Sequence, residues 1–180
     1  MKKVLLVVLA AAWTFTACNQ QPASDTAAGG SHEPAQAVQA APSAPSQAQL
    51  DSSIIAKYVA DNGLASKGKY TDTGIFFVSE KEGKGASPTI EDKVEVHYKG
   101  TLLDGTTFDS SYDRGQTAQF PLRGVVPGWQ QGIPLLKEGG KGILLIPSGL
   151  AYGSNGRPPQ IGPNSVLRFD VELFKVMTSK

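Results

Sequence analysis

Residues 92–108, DKVEVHYKGTLLDGTTF, leave little freedom of local structure. Val94, Val96 and Tyr98 alternate with Glu95, His97 and Lys99, the period of a strand with one face buried and one face wet. Asp104-Gly105 then supplies residues that accept the positive φ of a tight hairpin turn. Thr106-Thr107-Phe108 is therefore expected to return beside the first strand, antiparallel to it. A chain with this hairpin needs more sheet around it, and the sequence offers it. SVLRFDVELFKV (165–176) alternates again, with Leu167, Phe169, Val171 and Leu173 on one face. KGILLIP (141–147) is a short apolar run, and GIFFVSEKEG (74–83) reads as a strand closed by Gly83 and Gly85. GWQQGIPLLK (128–137) does not alternate. Trp129, Ile133 and Leu136 have helical spacing, with Pro134 at a costly interior position, so the helix must start late or kink. The expected fold is α+β: five or six strands in a curved antiparallel β-sheet wrapped over one short helix.

A second short helix is expected before the sheet. In DSSIIAKYVADN (51–62), Asp51 or Ser52 can cap the start. Ile54, Ile55, Tyr58 and Val59 share a face, and Gly63 ends the helix. Its apolar stripe should dock on the domain that follows.

The N-terminal third has another character. MKKVLLVVLAAAWTFTAC opens with Lys2 and Lys3, runs apolar from Val4 to Phe15, and reaches Cys18 after Thr16 and Ala17. Residues 1–17 have the layout of a secretory signal peptide. The apolar run is shorter than the ~20 residues of a spanning helix. Cys18 is the single cysteine. Its place resembles a bacterial lipobox, in which the cysteine is acylated, although Phe15 stands where leucine is usual. Asn19, which is not an aspartate, favours an outer-membrane anchor facing the periplasm. Residues 18–49 beyond the cysteine are dominated by Ala, Pro, Gln and Ser. Such a segment cannot bury enough surface to offset its ordering entropy, and a disordered tether reaching roughly 30 Å is expected. His32 lies in this tether and has no assigned role. Residues 50–73 are then the short helix and a connector, and 74–180 the main domain. The remaining length, ~130 residues, suits one domain.

Lys and Arg total 17 against 16 Asp and Glu, a net charge of +1. The charges are interspersed, so no nucleic-acid partner is expected. Ser148 lies in Ile146-Pro147-Ser148-Gly149, which lacks the glycine of a nucleophile elbow. Lys141 is followed by glycine, so no phosphate loop forms there. After Cys18 there is no cysteine, and His97 is the lone histidine beyond the tether. No metal site and no cofactor are expected. His97 itself reads as a polar-face strand residue.

What converges instead is a set of aromatic and apolar residues beside Gly/Pro loops: Tyr98, Phe108, Phe120, Val125, Val126, Trp129 and Tyr152. Tyr152 lies in GLAYGSNGRPPQIGP, a long loop of the kind that carries function. Taken singly, Trp129 and the phenylalanines fit a plain core as well as a site. Asp109, directly after Phe108, is either surface decoration or a carboxylate at a pocket edge.

Four blocks in order, VEVHYKGTLLDGTTFDSSYDRG, VVPGWQQGIPLLKEGGK, LIPSGLAYG and LRFDVELFKV, resemble the FKBP-type peptidyl-prolyl isomerases over residues 74–176. The resemblance implies a pocket with Trp129 as floor and Tyr98, Phe108, Phe120, Val125, Ile161 and Phe169 as walls. It implies that the Val126 N–H binds a substrate carbonyl, that Tyr152 donates its hydroxyl, and that Asp109 is the pocket-edge carboxylate with Arg114 close by. A buried Asp109 would need partners, and Tyr98 and Arg114 are the expected ones. Ala118 and Arg157 depart from the common pattern, which has an aromatic and a histidine there. The segment from Phe120 to Trp129 also looks shorter than in single-domain eukaryotic members. The implied activity is isomerisation of X-Pro bonds in exported, proline-containing polypeptides, with sensitivity to the macrolide inhibitors of the family. A non-catalytic holding module using the same pocket is the alternative. Larger relatives carry a long helical dimerisation region; one short helix at 51–62 implies a monomer, without an inserted chaperone flap.

Overall fold

The structure, a computed structural model, describes residues 44–178. The expected signal peptide, Cys18 and most of the tether lie outside that range. Seven strands form one antiparallel sheet: β1 (Gly68–Tyr70), β2 (Phe76–Lys81), β3 (Lys93–Leu102), β4 (Thr107–Ser110), β5 (Ala118–Pro121), β6 (Lys141–Ile146) and β7 (Leu167–Met177). Their order is β1-β2-β6-β7-β3-β4, with β5 also paired to β3. β4 takes the second half of β3, opposite Lys99 to Thr101, and β5 takes the first half, opposite Lys93 to Val96. The hairpin predicted at Asp104-Gly105 is present, with the Thr106 N–H donating to Asp104 Oδ1 at 2.8 Å.

Two helices flank the sheet. α1 (Gln47–Asp61) precedes it and α2 (Pro127–Gly132) lies between β5 and β6. Alternate residues of β2 and β6 sort onto opposite faces. On the inner face Phe77, Leu144 and Ile146 join Val94, Val96, Tyr98, Leu167, Phe169, Val171 and Leu173 around Trp129 and Ile133 of the α2 region. On the outer face Phe76, Val78, Ile143 and Leu145 pack with Val166 under Ile55 and Val59 of α1. β2 and β6 are thus covered on both sides, which is why KGILLI is continuously apolar instead of alternating. Gly128 and Gly132 let α2 sit close: a Cβ at either would stand 2.3 Å from Ile146 or 2.7 Å from Leu144.

Several sequence expectations need correction. The sheet has seven strands, not five or six, and it begins at Gly68, before residue 74. α1 starts at Gln47, so the last residues assigned to the tether are helical. Ser46 caps it in a capping box with Gln49. Asp51 is not a cap but a buried residue in the second turn, and Ile54 faces solvent. Pro134 does not kink an α-helix. α2 ends at Gly132 and the chain tightens into a 3-10 turn, Ile133–Leu135, in which proline removes no needed donor. The loop after β6 is not structureless: it holds 3-10 turns at Ser148–Leu150 and Gly153–Asn155 and an antiparallel bridge between Arg157 and Ile161. Among the described residues no helix is long and apolar enough to cross a membrane.

Candidate functional site

Five rings from five elements meet at one end of the inner face. Trp129 of α2 stands edge-to-face with Tyr98 of β3 at 5.1 Å, Phe169 of β7 at 5.2 Å and Phe120 of β5 at 5.6 Å. Phe108 of β4 meets Phe169 at 5.5 Å, also near perpendicular. Gly100 makes that crossing possible, because a Cβ there would stand 2.6 Å from the Phe108 ring. Rings set at right angles make favourable contacts without filling space as stacked aliphatics do. The result is an aromatic box left open on one side.

The opening is a cavity of about 350 Å³ lined by Tyr98, Asp109, Phe120, Gly124, Val125, Val126, Trp129, Tyr152, Arg157 and Phe169. A neighbouring cavity of about 460 Å³ shares Tyr98, Asp109, Phe120 and Arg157 and is completed by Phe108, Arg114, Ala118, Gln160 and Ile161. The expected wall residues therefore do not form one ring. Phe108 and Ile161 shape the second hollow, while Val125, Trp129 and Phe169 shape the first.

Asp109 sits on the seam between the two. Its carboxylate accepts from the Tyr98 hydroxyl at 2.6 Å and from Arg114 Nη1 at 2.5 Å, and Arg114 Nη2 donates to the Tyr98 oxygen at 2.8 Å. The guanidinium also lies 5.5 Å from the centre of the Tyr98 ring. This closed triangle satisfies a half-buried carboxylate, as such a group requires. Burial pushes the Asp109 carboxyl up, but the bonds from Tyr98 and Arg114, with the arginine charge, outweigh it and hold it below the usual carboxylate range. Burial pushes the Tyr98 phenol up, and the adjacent Asp109 carboxylate adds to that. Asp109 is thus a fixed acceptor and Tyr98 a fixed donor, and neither is poised to exchange protons near neutrality.

Two donors face the first cavity with capacity to spare. Val126 is the N-cap of α2, and its N–H donates to no group among the described residues. The Tyr152 hydroxyl has one neighbour, Arg157 Nη1 at 3.5 Å, which donates to it and leaves the phenolic proton available. The Trp129 indole N–H is the one buried side-chain polar atom without a partner among the described residues.

Some supporting residues had no legible signal. Ser111 is fully buried; its Oγ accepts from the Tyr98 N–H at 2.8 Å and donates to the Tyr98 carbonyl at 3.2 Å, which fixes that tyrosine's backbone. The Gln130 side chain donates to the Val125 carbonyl at 2.8 Å and steadies the turn that presents Val126. His97 lies off the pocket, stacked on Tyr112 at 4.5 Å.

The sequence profile described as "FKBP-type peptidyl-prolyl cis-trans isomerase" matches residues 84–174. The chain belongs to this family. Among curated FKBP-type proteins, the probable isomerase FkpA of Neisseria meningitidis is 45% identical over 119 residues, which is 66% of this chain and 44% of that protein. The crystal structure of the Escherichia coli FKBP-type protein FkpA superposes with a TM-score of 0.66 at 43% identity, covering 74% of this chain and 62% of that one. A peptidyl-prolyl cis-trans isomerase from Pseudomonas syringae pv. tomato superposes at 0.64 with 31% identity, covering 77% of this chain and all of that structure. The chain spans about half the length of the curated relatives it matches. α1 lies outside the stretch matched by the FKBP-type profile.

Proposed function

We propose that this chain catalyses cis-trans isomerisation of X-Pro bonds in exported polypeptides and so assists their folding. The observation that supports this best is the aromatic box over Trp129, with the Val126 N–H and the Tyr152 hydroxyl free at its edge. Rotation about an X-Pro bond crosses a barrier of roughly 20 kcal/mol because amide resonance is lost midway. No bond to hydrogen breaks, so no general acid or base is needed, in keeping with a site in which Asp109 is a fixed acceptor and Tyr98 a fixed donor. Water stabilises the planar, polar amide more than the twisted one. An apolar box that displaces water therefore favours the twisted form. The proline ring would lie on Trp129 between Tyr98, Phe120 and Phe169. The Val126 N–H and Tyr152 hydroxyl would hold the flanking carbonyls, and Asp109, kept in place by Tyr98 and Arg114, would form the wall. Interactions stronger with the twisted amide than with the planar one are the ones that accelerate the step. Phe108, Arg114, Val125 and Ile161 would contact the peptide beyond the proline, and macrolide inhibitors of the family would compete for the same box.

A coupled-protease assay on a short X-Pro peptide tests this. Turnover is expected; peptide binding without turnover would leave a holding module instead. The cellular setting we propose rests on residues 1–49: export by the signal peptide, acylation of Cys18, and tethering to the outer membrane facing the periplasm; the one short helix before the sheet supports a monomer. Cys18→Ser should abolish lipid labelling and release the protein from membranes, and a variant that stays membrane-bound overturns the anchor.

A further inference from the structure

α1 reaches the loop that leads to Tyr152 through one buried carboxylate. Asp51 is 1% exposed, in the second turn of a helix whose outer side is wet. Its Oδ2 accepts from the Ser148 N–H at 2.8 Å and from the Ser148 hydroxyl at 2.7 Å, across 97 positions of sequence. Its Oδ1 accepts from Gln47 Nε2 at 2.7 Å. No lysine, arginine or histidine pairs with it among the described residues. A buried carboxylate with only neutral donors is costly to keep for packing alone, where an apolar side chain would serve.

Its partner shows what it holds. Ser148 is itself 1% exposed and opens the 3-10 turn Ser148–Leu150, whose first N–H groups have no partner inside the turn. Asp51 supplies the missing acceptor in trans, as a capping side chain would do in cis. From there the loop runs directly through Ala151 to Tyr152, the N-cap of the next turn. On its inner side the same segment leans on α2: the Leu150 carbonyl stands 3.1 Å from where a Cβ on Gly128 would be, next to Trp129. The five residues that end in Tyr152 are thus clamped between a carboxylate from outside the sheet and the helix that floors the pocket.

We propose that Asp51 is a positioning residue for Tyr152: by holding Ser148, α1 sets where the tyrosine hydroxyl stands relative to the bound peptide. This rests on the isomerase reading of the pocket. It assigns the helix preceding the family domain a part in the reaction.

The test is a double-mutant cycle on the full chain, with the parent's turnover of an X-Pro peptide as the reference and thermal unfolding confirming that each variant is folded at the assay temperature. Asp51→Ala should lower kcat/KM by roughly five- to fiftyfold, the scale of a misplaced site group. Asp51→Asn, which keeps an acceptor oxygen, should recover most of that loss. In a Tyr152→Phe background Asp51→Ala should cost less than about twofold more, because the hydroxyl it positions is gone. An equal loss in both backgrounds, or no loss in a folded Asp51→Ala protein, overturns the proposal. If Asp51→Ala does not fold, Ser148→Ala removes one of the two bonds and enters the same cycle with the same criteria. A parent without turnover would instead defeat the isomerase reading itself.

Discussion

Both faces of this sheet are packed mainly with aliphatic side chains, but only the inner one gathers a group of rings at one end. The outer face, under α1, is mostly aliphatic: Ile55, Val59, Val78, Ile143, Leu145 and Val166, with Phe76 as its one buried ring. One end of the inner face, beside α2, carries five rings standing on edge, four of which line a cavity of about 350 Å³. Branched aliphatic side chains close a gap between helix and sheet because they interdigitate. Perpendicular rings define walls. On the isomerase reading, the aromatic end of the inner face serves recognition, and the aliphatic packing on both faces serves stability.

Substitutions should therefore divide by face. The largest effect is expected outside. Ile143→Ala leaves a cavity where collapse is limited by α1, and should cost about 2–5 kcal/mol in denaturant unfolding, with kcat/KM of the folded protein little changed. A large loss of activity at full stability would erase the distinction. Inside, Asp109→Leu should act the other way round. It removes a charge whose partners Tyr98 and Arg114 are then free to shift, and replacing a buried polar group by an apolar one can be nearly neutral for folding. The expected loss is about 1–3 kcal/mol in transition-state stabilisation, or roughly tenfold to a hundredfold in kcat/KM. Unchanged turnover would return Asp109 to a surface role. Tyr98→Phe should give a smaller loss in the same direction, since Arg114 still holds the carboxylate, and the double variant should lose less than the sum.

The smallest effect is expected from pH. Asp109 has its carboxyl below the ordinary range in the folded protein, so its contribution to stability is complete above the ordinary carboxylate pKa of ~3.9 and is lost as pH falls through the depressed value. Tyr98 has its phenol raised above the ordinary ~10, so its contribution is complete below that value and is lost only as pH rises through the raised one. Between these limits kcat/KM should be flat from about pH 5 to pH 9. A bell-shaped profile within that window would reveal a titrating group the geometry does not provide.

What the sequence made legible follows the same division. β3 and β7 announce themselves by alternation because one of their faces is wet for much of their length. The bond from Tyr98 to Asp109 could be expected because a hairpin of known turn places β4 against β3. β1 and β5 leave no signal in the sequence: three and four residues are too few for a period, and their pairing partners decide their structure. The start of α1 did carry a signal, Ser46 with Gln49 three residues on, but it is written in the same residue types as the tether before it. The split of the wall residues between two hollows, and the bond from Asp51 to Ser148, depend on distances across the fold that no local pattern encodes.

The strand order has a consequence for synthesis. β7 lies between β6 and β3, and pairs with both along most of their lengths. Until a ribosome has made Leu167–Met177, the earlier strands can exist only as two unconnected pieces, β1-β2-β6 and β3-β4-β5. Neither piece has an inner face closed by the other, so no aromatic box can assemble during translation of the first six strands. The closing strand brings together residues far apart in the chain, a slow step by its topology. Any nascent chain halted before β7 exposes two apolar sheet edges at once, the state most open to mispairing and to capture by a holdase.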